Sequence, residues 1–282
     1  MCNSLPKFFH KFVKAMAKRI DIGERWALVT GASSGIGLAL ANELAANGLR
    51  LVIVGRNAER LALAESRLRV AGAADVVALS VDLAADGGAQ WLYDECHRRG
   101  VEVGLLVNNA GTFIYKDLVG LSADRIEGIL GLHVGATTTL CRLFVADMVA
   151  RGEGWVLNMS SLAAAMPLPG LGLYSATKAY IHNFSLALAE EVRERGVRVC
   201  SVRPGGVATD LYGLAPKWQQ RAVRWGVIER PERLARRALR ALVRGRKRVG
   251  YGVLNSVGLV AVRMLPRGVI QFLRRRTFGY QK

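Results

Sequence analysis

The middle of the chain alternates short apolar runs with longer segments whose apolar residues recur at helical spacing. Runs rich in Val, Leu and Ile predict strands at 26–30, 51–54, 76–80, 103–107, 155–159 and 197–201, and a last one near 246–252. Amphipathic segments predict helices at 35–47, 58–70, 87–99, 122–150 and 173–194. Because the strands are almost continuously apolar, we expect helices to cover both faces of a parallel sheet, in a doubly wound α/β fold.

Composition limits the class of protein, and charge distinguishes the two ends from the middle. The 282 residues are 51% apolar and 22% charged, which is typical of a globular chain. The net charge of +18 lies in residues 1–25 (+4) and 217–282 (+16), whereas 26–216 carries −2. Four scattered cysteines and four scattered histidines match no metal-ligand spacing, so we expect no metal, no disulfide framework and a cytoplasmic location. The sequence contains no apolar run of about 20 residues, so no membrane span is expected. Lysines interrupt the N-terminus where a signal peptide would be apolar.

A glycine-rich turn follows the first predicted strand and opens the first predicted helix. Its residues are Gly31, Ala32, Ser33, Ser34, Gly35, Ile36 and Gly37. Glycines allow the backbone to approach a phosphate closely, and a helix N-terminus offers free N–H groups, so the turn predicts a dinucleotide site. The same turn fits the G-x-S-x-G motif of hydrolases with Ser33 as nucleophile, but no histidine follows His182 to complete a triad.

Arg56 follows the second predicted strand, where an NAD site usually has an acidic residue that binds the ribose hydroxyls. A guanidinium there favours a ribose that carries a 2′-phosphate. The sequence therefore predicts NADP(H) in preference to NAD(H).

Further polar or small residues stand at the ends of later strands. Asp82 and Leu83 follow the third strand, Asn109-Ala110-Gly111 the fourth, and Ser161 the fifth. Tyr174 and Lys178 are four residues apart at the start of the next helix, so they share a face. An ammonium group beside a phenol lowers the phenol's pKa and makes it a usable proton donor or acceptor.

These motifs, in this order, resemble the short-chain dehydrogenase/reductase family over residues 26–210, and in particular a bacterial branch with a basic C-terminal extension. The motifs that carry the resemblance are Thr30-Gly31-x-x-x-Gly35-x-Gly37, Asn108-Asn109-Ala110-Gly111, Ser161, Tyr174-x-x-x-Lys178 and Pro204-Gly205-Gly206-Val207-Ala208-Thr209. The resemblance implies a Rossmann sheet of about seven strands and reduction of a carbonyl with NADPH, or the reverse oxidation.

The resemblance also implies roles for individual residues. Tyr174 would exchange the proton, Lys178 would lower its pKa and hold the nicotinamide ribose, and Ser161 would hydrogen-bond the substrate oxygen. The implied cofactor-binding residues are Gly31, Ser33, Ser34, Gly35, Ile36, Gly37, Arg56, Asp82, Leu83, Asn109, Ala110, Gly111, Tyr174, Lys178, Pro204, Gly205, Val207 and Thr209. The family usually has an asparagine where this chain has His133. An imidazole could hold the same proton-relaying water, or His133 could be a helix residue in which the relay role is lost.

The two basic ends add a second possible location to the cytoplasm, the inner face of the cell membrane as a peripheral protein. Residues 7–20 alternate an apolar face with a lysine face, which suits either an anionic membrane surface or a helix packed on its own domain. We divide the chain into an N-terminal helix (1–25), a catalytic domain (26–210), a substrate lid (211–245), and a last strand with a basic extension (246–282). The ends favour a hydrophobic or acyl-thioester carbonyl substrate.

Other partners and a second function follow from the same features. The C-terminal segment contains few aromatic residues, so no specific nucleic-acid partner is expected, whereas a homo-oligomer is. The alternative function is a non-catalytic NADP-binding module that docks on a membrane.

Overall fold

The computed structural model describes residues 20–166, 168–209, 221, 223–226, 228–250 and 268. The predicted N-terminal helix, most of the predicted lid up to residue 227, and almost all of the C-terminal extension lie outside the described residues.

Nine strands form two parallel sheets within the described residues. The strands are β1 (Trp26–Thr30), β2 (Arg50–Gly55), β3 (Asp75–Ser80), β4 (Val103–Asn108), β5 (Gly154–Met159), β6 (Val197–Val202), β7 (Gly206–Val207), β8 (Ile228–Glu229) and β9 (Arg248–Val249). The large sheet has the order β3-β2-β1-β4-β5-β6-β9, and every neighbouring pair is parallel. The predicted seven-stranded, doubly wound sheet is confirmed. The pair β7–β8 was not predicted, because two-residue strands leave no periodic pattern.

Helices connect the strands and cover both faces of the large sheet. They are α1 (Gly35–Ala45), α2 (Ala58–Val70), α3 (Gly88–Arg98), α4 (Ala123–Leu130), α5 (Thr137–Arg151), α6 (Gly172–Glu191) and α7 (Pro231–Val243), with a π-helical stretch at Gly131–Ala136. Short 3₁₀ helices lie at Leu118–Gly120, Leu162–Ala165 and Arg193–Arg195. The predicted helices are thus confirmed to within a few residues at their ends.

Alternate residues of each central strand enter two separate cores. In β2, Leu51 and Ile53 join the core beneath α1, α2 and α7, whereas Val52 and Val54 join the core beneath α3, α5 and α6. All four side chains are fully buried. Burying such a side chain contributes about 1.5–3 kcal/mol, so covering both faces explains why the strands are apolar throughout.

Helix α7 corrects one boundary of the predicted organisation. Its residues fall in the range 211–245 that was predicted to be a substrate lid, yet Leu234, Ala235 and Leu242 are fully buried against α1 and the sheet. Leu234, Ala238 and Leu242 recur every four residues, which is the spacing of one buried helix face. The C-terminal part of the predicted lid is therefore a helix of the core layer.

The helical run Ala123–Arg151 is the one described segment that is long and apolar enough to cross a membrane. It coincides with the long helical region that the sequence predicts at 122–150. Half of its most apolar window is buried inside the fold, where Leu140, Phe144 and Met148 pack against the sheet. The run is thus apolar because it is a core helix.

Candidate active site

The glycine-rich turn forms a close junction between β1 and α1. Gly31 and Gly35 have φ values of +65° and +55°, a region that favours glycine. A Cβ atom at Gly37 would lie 2.1 Å from the carbonyl oxygen of Gly31, so no side chain fits there. The N-cap residue Ser34 makes no side-chain cap, and the first turn of α1 contains no acid. The free N–H groups of this helix end are therefore available to a phosphate.

Hydrogen bonds fasten this turn to the loop after β4. The hydroxyl of Thr30 donates to Val107 O (3.2 Å) and accepts from the N–H groups of Asn109 (2.9 Å) and Ala110 (3.0 Å). The side-chain amide of Asn109 donates to Thr30 O at 2.9 Å. The two loops that lie at the carboxyl edge of the sheet are thereby held as one rigid cradle.

A cavity of about 440 Å³ runs along this edge of the sheet. Predicted residues in its lining are Gly31, Ser33, Ser34, Gly35, Ile36, Arg56, Asp82, Leu83, Asn109, Ala110, Gly111, Ser161, Tyr174, Lys178, Pro204, Val207 and Thr209. Three predicted site residues, Gly37, Gly205 and His133, do not line it. Gly37 instead allows the turn to close, and His133 lies behind the wall. A cavity that is lined by the glycine-rich turn and by polar side chains at the carboxyl edge of a parallel sheet is a typical dinucleotide site.

Cationic side chains mark the end of the cavity beyond β2. Arg56 is 72% exposed, and its guanidinium lies 3.8 Å from the carboxylate of Asp82. Arg60, which the sequence analysis missed, also lines the cavity. It stands in the first turn of α2, where Asn57 caps the helix by accepting from Arg60 N–H at 2.8 Å. Its position four residues after Arg56, within the first turn of α2, is the signal that could have identified it.

Tyr174, Lys178 and Ser161 meet at the opposite end of the cavity. All three are buried, with exposures of 5%, 4% and 7%. The Nζ atom of Lys178 donates to Met159 O (3.0 Å) and lies 5.9 Å from the centre of the Tyr174 ring. Ser160 Oγ donates to Lys178 O at 2.6 Å, which fastens α6 to the end of β5. The sequence-distant serine, tyrosine and lysine are thus brought together as predicted.

Burial lowers the pKa of Lys178 from 10.5 to about 8. Desolvation disfavours the ammonium form, but below pH 8 the side chain still carries its positive charge. A cation held in this buried setting stabilises a neighbouring phenolate more strongly than it would in water.

His133 lies behind the wall of the site, and both of its ring nitrogens form hydrogen bonds with other residues of the protein. Its Nε2 accepts from Thr112 N–H at 3.0 Å, and Nδ1 lies 2.9 Å from Thr177 Oγ1. Because the Thr177 hydroxyl donates to Tyr174 O (2.9 Å), Nδ1 carries the proton and donates to it. Burial and the nearby Lys178 charge lower the pKa of His133 to about 3. The predicted imidazole relay is therefore corrected: the ring has no free nitrogen for a water, and it links the Thr112 loop to α6.

Two further expectations concern other chemistry, that of a serine hydrolase and that of a metal site. No histidine among its lining residues could activate Ser33, which removes the geometric basis of the hydrolase alternative. Within the described residues, no group of three or more His, Cys, Asp or Glu side chains could hold a metal ion. Cys96, Cys141 and Cys200 are buried and unpaired.

The sequence and the fold that form this site match those of known proteins. The short chain dehydrogenase family profile matches residues 25–220. This chain belongs to the short-chain dehydrogenase family. A solved short-chain dehydrogenase from Sphingobium yanoikuyae in complex with NADPH is 27% identical, with a TM-score of 0.72, over 86% of this chain and 97% of that one.

Two similar proteins from mammals differ in what their names say of their activity. The very-long-chain 3-oxoacyl-CoA reductase of Mus musculus is 35% identical over 196 residues, which are 67% of this chain and 61% of that protein. The inactive hydroxysteroid dehydrogenase-like protein 1 of Homo sapiens is 31% identical over 85% of this chain and 73% of that protein. The chain thus spans about three fifths of the length of the reductase it matches. The predicted bacterial branch stays a prediction.

Proposed function

We propose that this protein is an NADP(H)-dependent oxidoreductase that interconverts a hydrophobic ketone or aldehyde and its alcohol. The observation that carries the proposal is the convergence of Tyr174, Lys178 and Ser161 on one end of a cavity that the glycine-rich turn also lines. The NADPH complex of a similar structure and the family's oxidoreductase members support it.

The proposed chemistry assigns each buried group one task. A bound nicotinamide cofactor would supply or accept the hydride. In the reducing direction, the Tyr174 hydroxyl donates its proton to the carbonyl oxygen as that oxygen gains charge. The Ser161 hydroxyl donates a hydrogen bond to the same oxygen, and the Lys178 ammonium stabilises the resulting phenolate. The carbonyl carbon gains the hydride and its oxygen the proton, so the product is the alcohol.

Preference for NADP(H) follows from the cationic end of the cavity. Arg56 and Arg60 present two guanidinium groups near the capped start of α2, and a 2′-phosphate carries the complementary charge. Asp82 balances part of the charge of Arg56 at 3.8 Å, so a phosphate would compete with a weak, exposed ion pair.

A hydrophobic substrate fits the surroundings of Tyr174. The Phe113 ring packs edge-on against Tyr174, with centroids 5.1 Å apart. Ile114, Leu121 and Leu171 belong to the same apolar cluster. An acyl chain placed against this cluster would be removed from water while its carbonyl reached Ser161 and Tyr174. The mouse relative's named substrate, a very-long-chain 3-oxoacyl-CoA, is of this chemical class.

The test is NADPH oxidation with a series of ketones and 3-oxoacyl thioesters of increasing chain length. We expect kcat/KM to rise with chain length, because each buried methylene adds binding energy. Equal turnover across the series would exclude the hydrophobic substrate while keeping the oxidoreductase. The predicted homo-oligomer and cytoplasmic location stay predictions.

The second candidate is a non-catalytic NADP(H)-binding protein that docks on a membrane. It is favoured by His133, which replaces the family's asparagine, and by the relative that is named inactive. NADPH binding without turnover of any carbonyl in the series would establish this alternative.

A further inference from the structure

Helix α7 separates an apolar face from an arginine face. Leu234, Ala235 and Leu242 are fully buried against the sheet, whereas the arginines of this helix lie on its outer side. Between this outer side and the edge strand β9 runs a groove of about 410 Å³. Seven arginines line the groove, together with Ala241, Val249 and Gly250, and no acidic residue lines it.

Neighbouring acids neutralise only part of this charge. Arg236 pairs with Glu43 at 3.0 Å, and Arg237 and Arg233 share Glu229 at 2.7 and 3.9 Å. Four exposed arginines of the groove have no described acid within ion-pair distance: Arg240, Arg244, Arg246 and Arg248. A patch with this excess of positive charge attracts an extended anionic surface.

Both basic ends of the sequence join the fold beside this helix. Gly250, the end of the described run after β9, lies in the groove, and its carbonyl accepts from Arg237 Nη1 at 2.7 Å. Ile20, the first described residue, lines a cavity together with Val243, the last residue of α7. In the sequence, lysines precede Ile20 at 7–18 and arginines follow Gly250 at 263–276.

We propose that the outer face of α7 docks on an anionic phospholipid membrane. The groove contains no aromatic side chain on which a nucleic-acid base could stack. The sequence attached at Gly250 continues with an apolar stretch, Val253 to Leu265, next to basic residues, a composition suited to a lipid interface. Each basic side chain near such a surface adds severalfold to the affinity, so four unneutralised arginines form a substantial site.

The test uses the full-length protein and two kinds of vesicle, phosphatidylcholine alone and phosphatidylcholine with phosphatidylglycerol. The docking variant is R240Q/R244Q, and the control is R193Q/R195Q. Arg193 and Arg195 are exposed and follow α6, on the other face of the sheet. The control also replaces two arginines by glutamines, so it changes the net charge by the same amount. Thermal unfolding of both variants tests whether either substitution disturbs the fold.

We expect the wild type to sediment with the anionic vesicles only and to be released by high salt. R240Q/R244Q should weaken vesicle binding by about tenfold or more, and R193Q/R195Q by much less. Wild-type affinity of R240Q/R244Q, or an equal loss in the control, would overturn the proposal. Absence of vesicle binding by the wild type would overturn it too. If the wild type instead bound a duplex RNA tightly, the partner of the groove would be a nucleic acid. Cofactor binding plays no part in this readout, so the result is independent of the proposed function.

Discussion

The two ends of the proposed cofactor cavity differ in how they are held. At the Tyr174 end, the reacting groups are buried, the Lys178 ammonium donates to Met159 O in β5, and Ser160 fastens α6 to the end of that strand. At the Arg56 end, the guanidinium is 72% exposed and has one distant carboxylate neighbour. Burial makes the first end rigid and intolerant of change, whereas the second end acts through charge that water and salt screen. The catalytic end should therefore set the rate, and the exposed end the choice of cofactor.

The largest effect is expected from Tyr174→Phe, which removes the proton donor and keeps the ring. We expect kcat to fall by about 100- to 10,000-fold while NADPH affinity stays near the wild-type value. Steady-state kinetics and NADPH fluorescence titration measure the two quantities. Turnover at the wild-type rate would show that the buried end does not perform the chemistry.

The next effect concerns His133, whose pKa is lowered from 6.5 to about 3 in the folded protein. Between these pH values the unfolded chain binds a proton that the folded chain does not, so stability falls as pH drops through this window. His133→Asn should flatten the pH dependence of the free energy of unfolding, by a few kcal/mol between its extremes. Urea unfolding at several pH values measures it.

His182 provides the comparison for that experiment. Burial lowers the pKa of His182 to about 4, but its side chain is only part-buried, so His182→Asn should flatten the curve less. An unchanged slope in His133→Asn would contradict the buried, neutral imidazole.

Gly37→Ala tests the close junction that the glycine-rich turn forms between β1 and α1. A Cβ atom there would meet Gly31 O at 2.1 Å, so we expect a loss of about 1–3 kcal/mol in stability and weaker NADPH binding. Gly128→Ala in α4 is the matched control, because its added Cβ has no neighbour within 4 Å and should stabilise the helix by about 0.5–1 kcal/mol. The same sign of effect in both variants would refute the close contact.

The smallest effect is expected at the exposed end. Arg56→Ala should weaken NADPH binding by about tenfold and leave NADH binding nearly unchanged, with the difference shrinking in high salt. Arg69→Ala, at the far end of α2 and paired with Glu65 at 2.9 Å, is the control and should alter neither. Equal losses for NADPH and NADH would place the 2′-phosphate elsewhere.

Local pattern predicted the sheet and the proposed site better than it predicted α7 and His133. Long apolar strands predict a parallel sheet, and parallel strands bring their carboxyl ends to one edge. The motifs that follow these strands are therefore expected to lie close together. Helix α7 lies in an arginine-rich range, so its buried face was hidden by the charge on its other face. His133 could not be interpreted from its neighbours in sequence, since its partners are Thr112 and Thr177, 21 and 44 residues away.

The sequence by itself determined the order of the strands and helices, the glycine turn, and the identity of the serine, tyrosine and lysine at the strand and helix ends. Only the tertiary structure decided what depends on packing between distant segments. It buried Lys178 and so lowered its pKa, engaged both nitrogens of His133, and placed Arg60 beside Arg56. Periodicity and turn chemistry are local properties, whereas desolvation and hydrogen-bond partners are set by whichever elements the fold brings together.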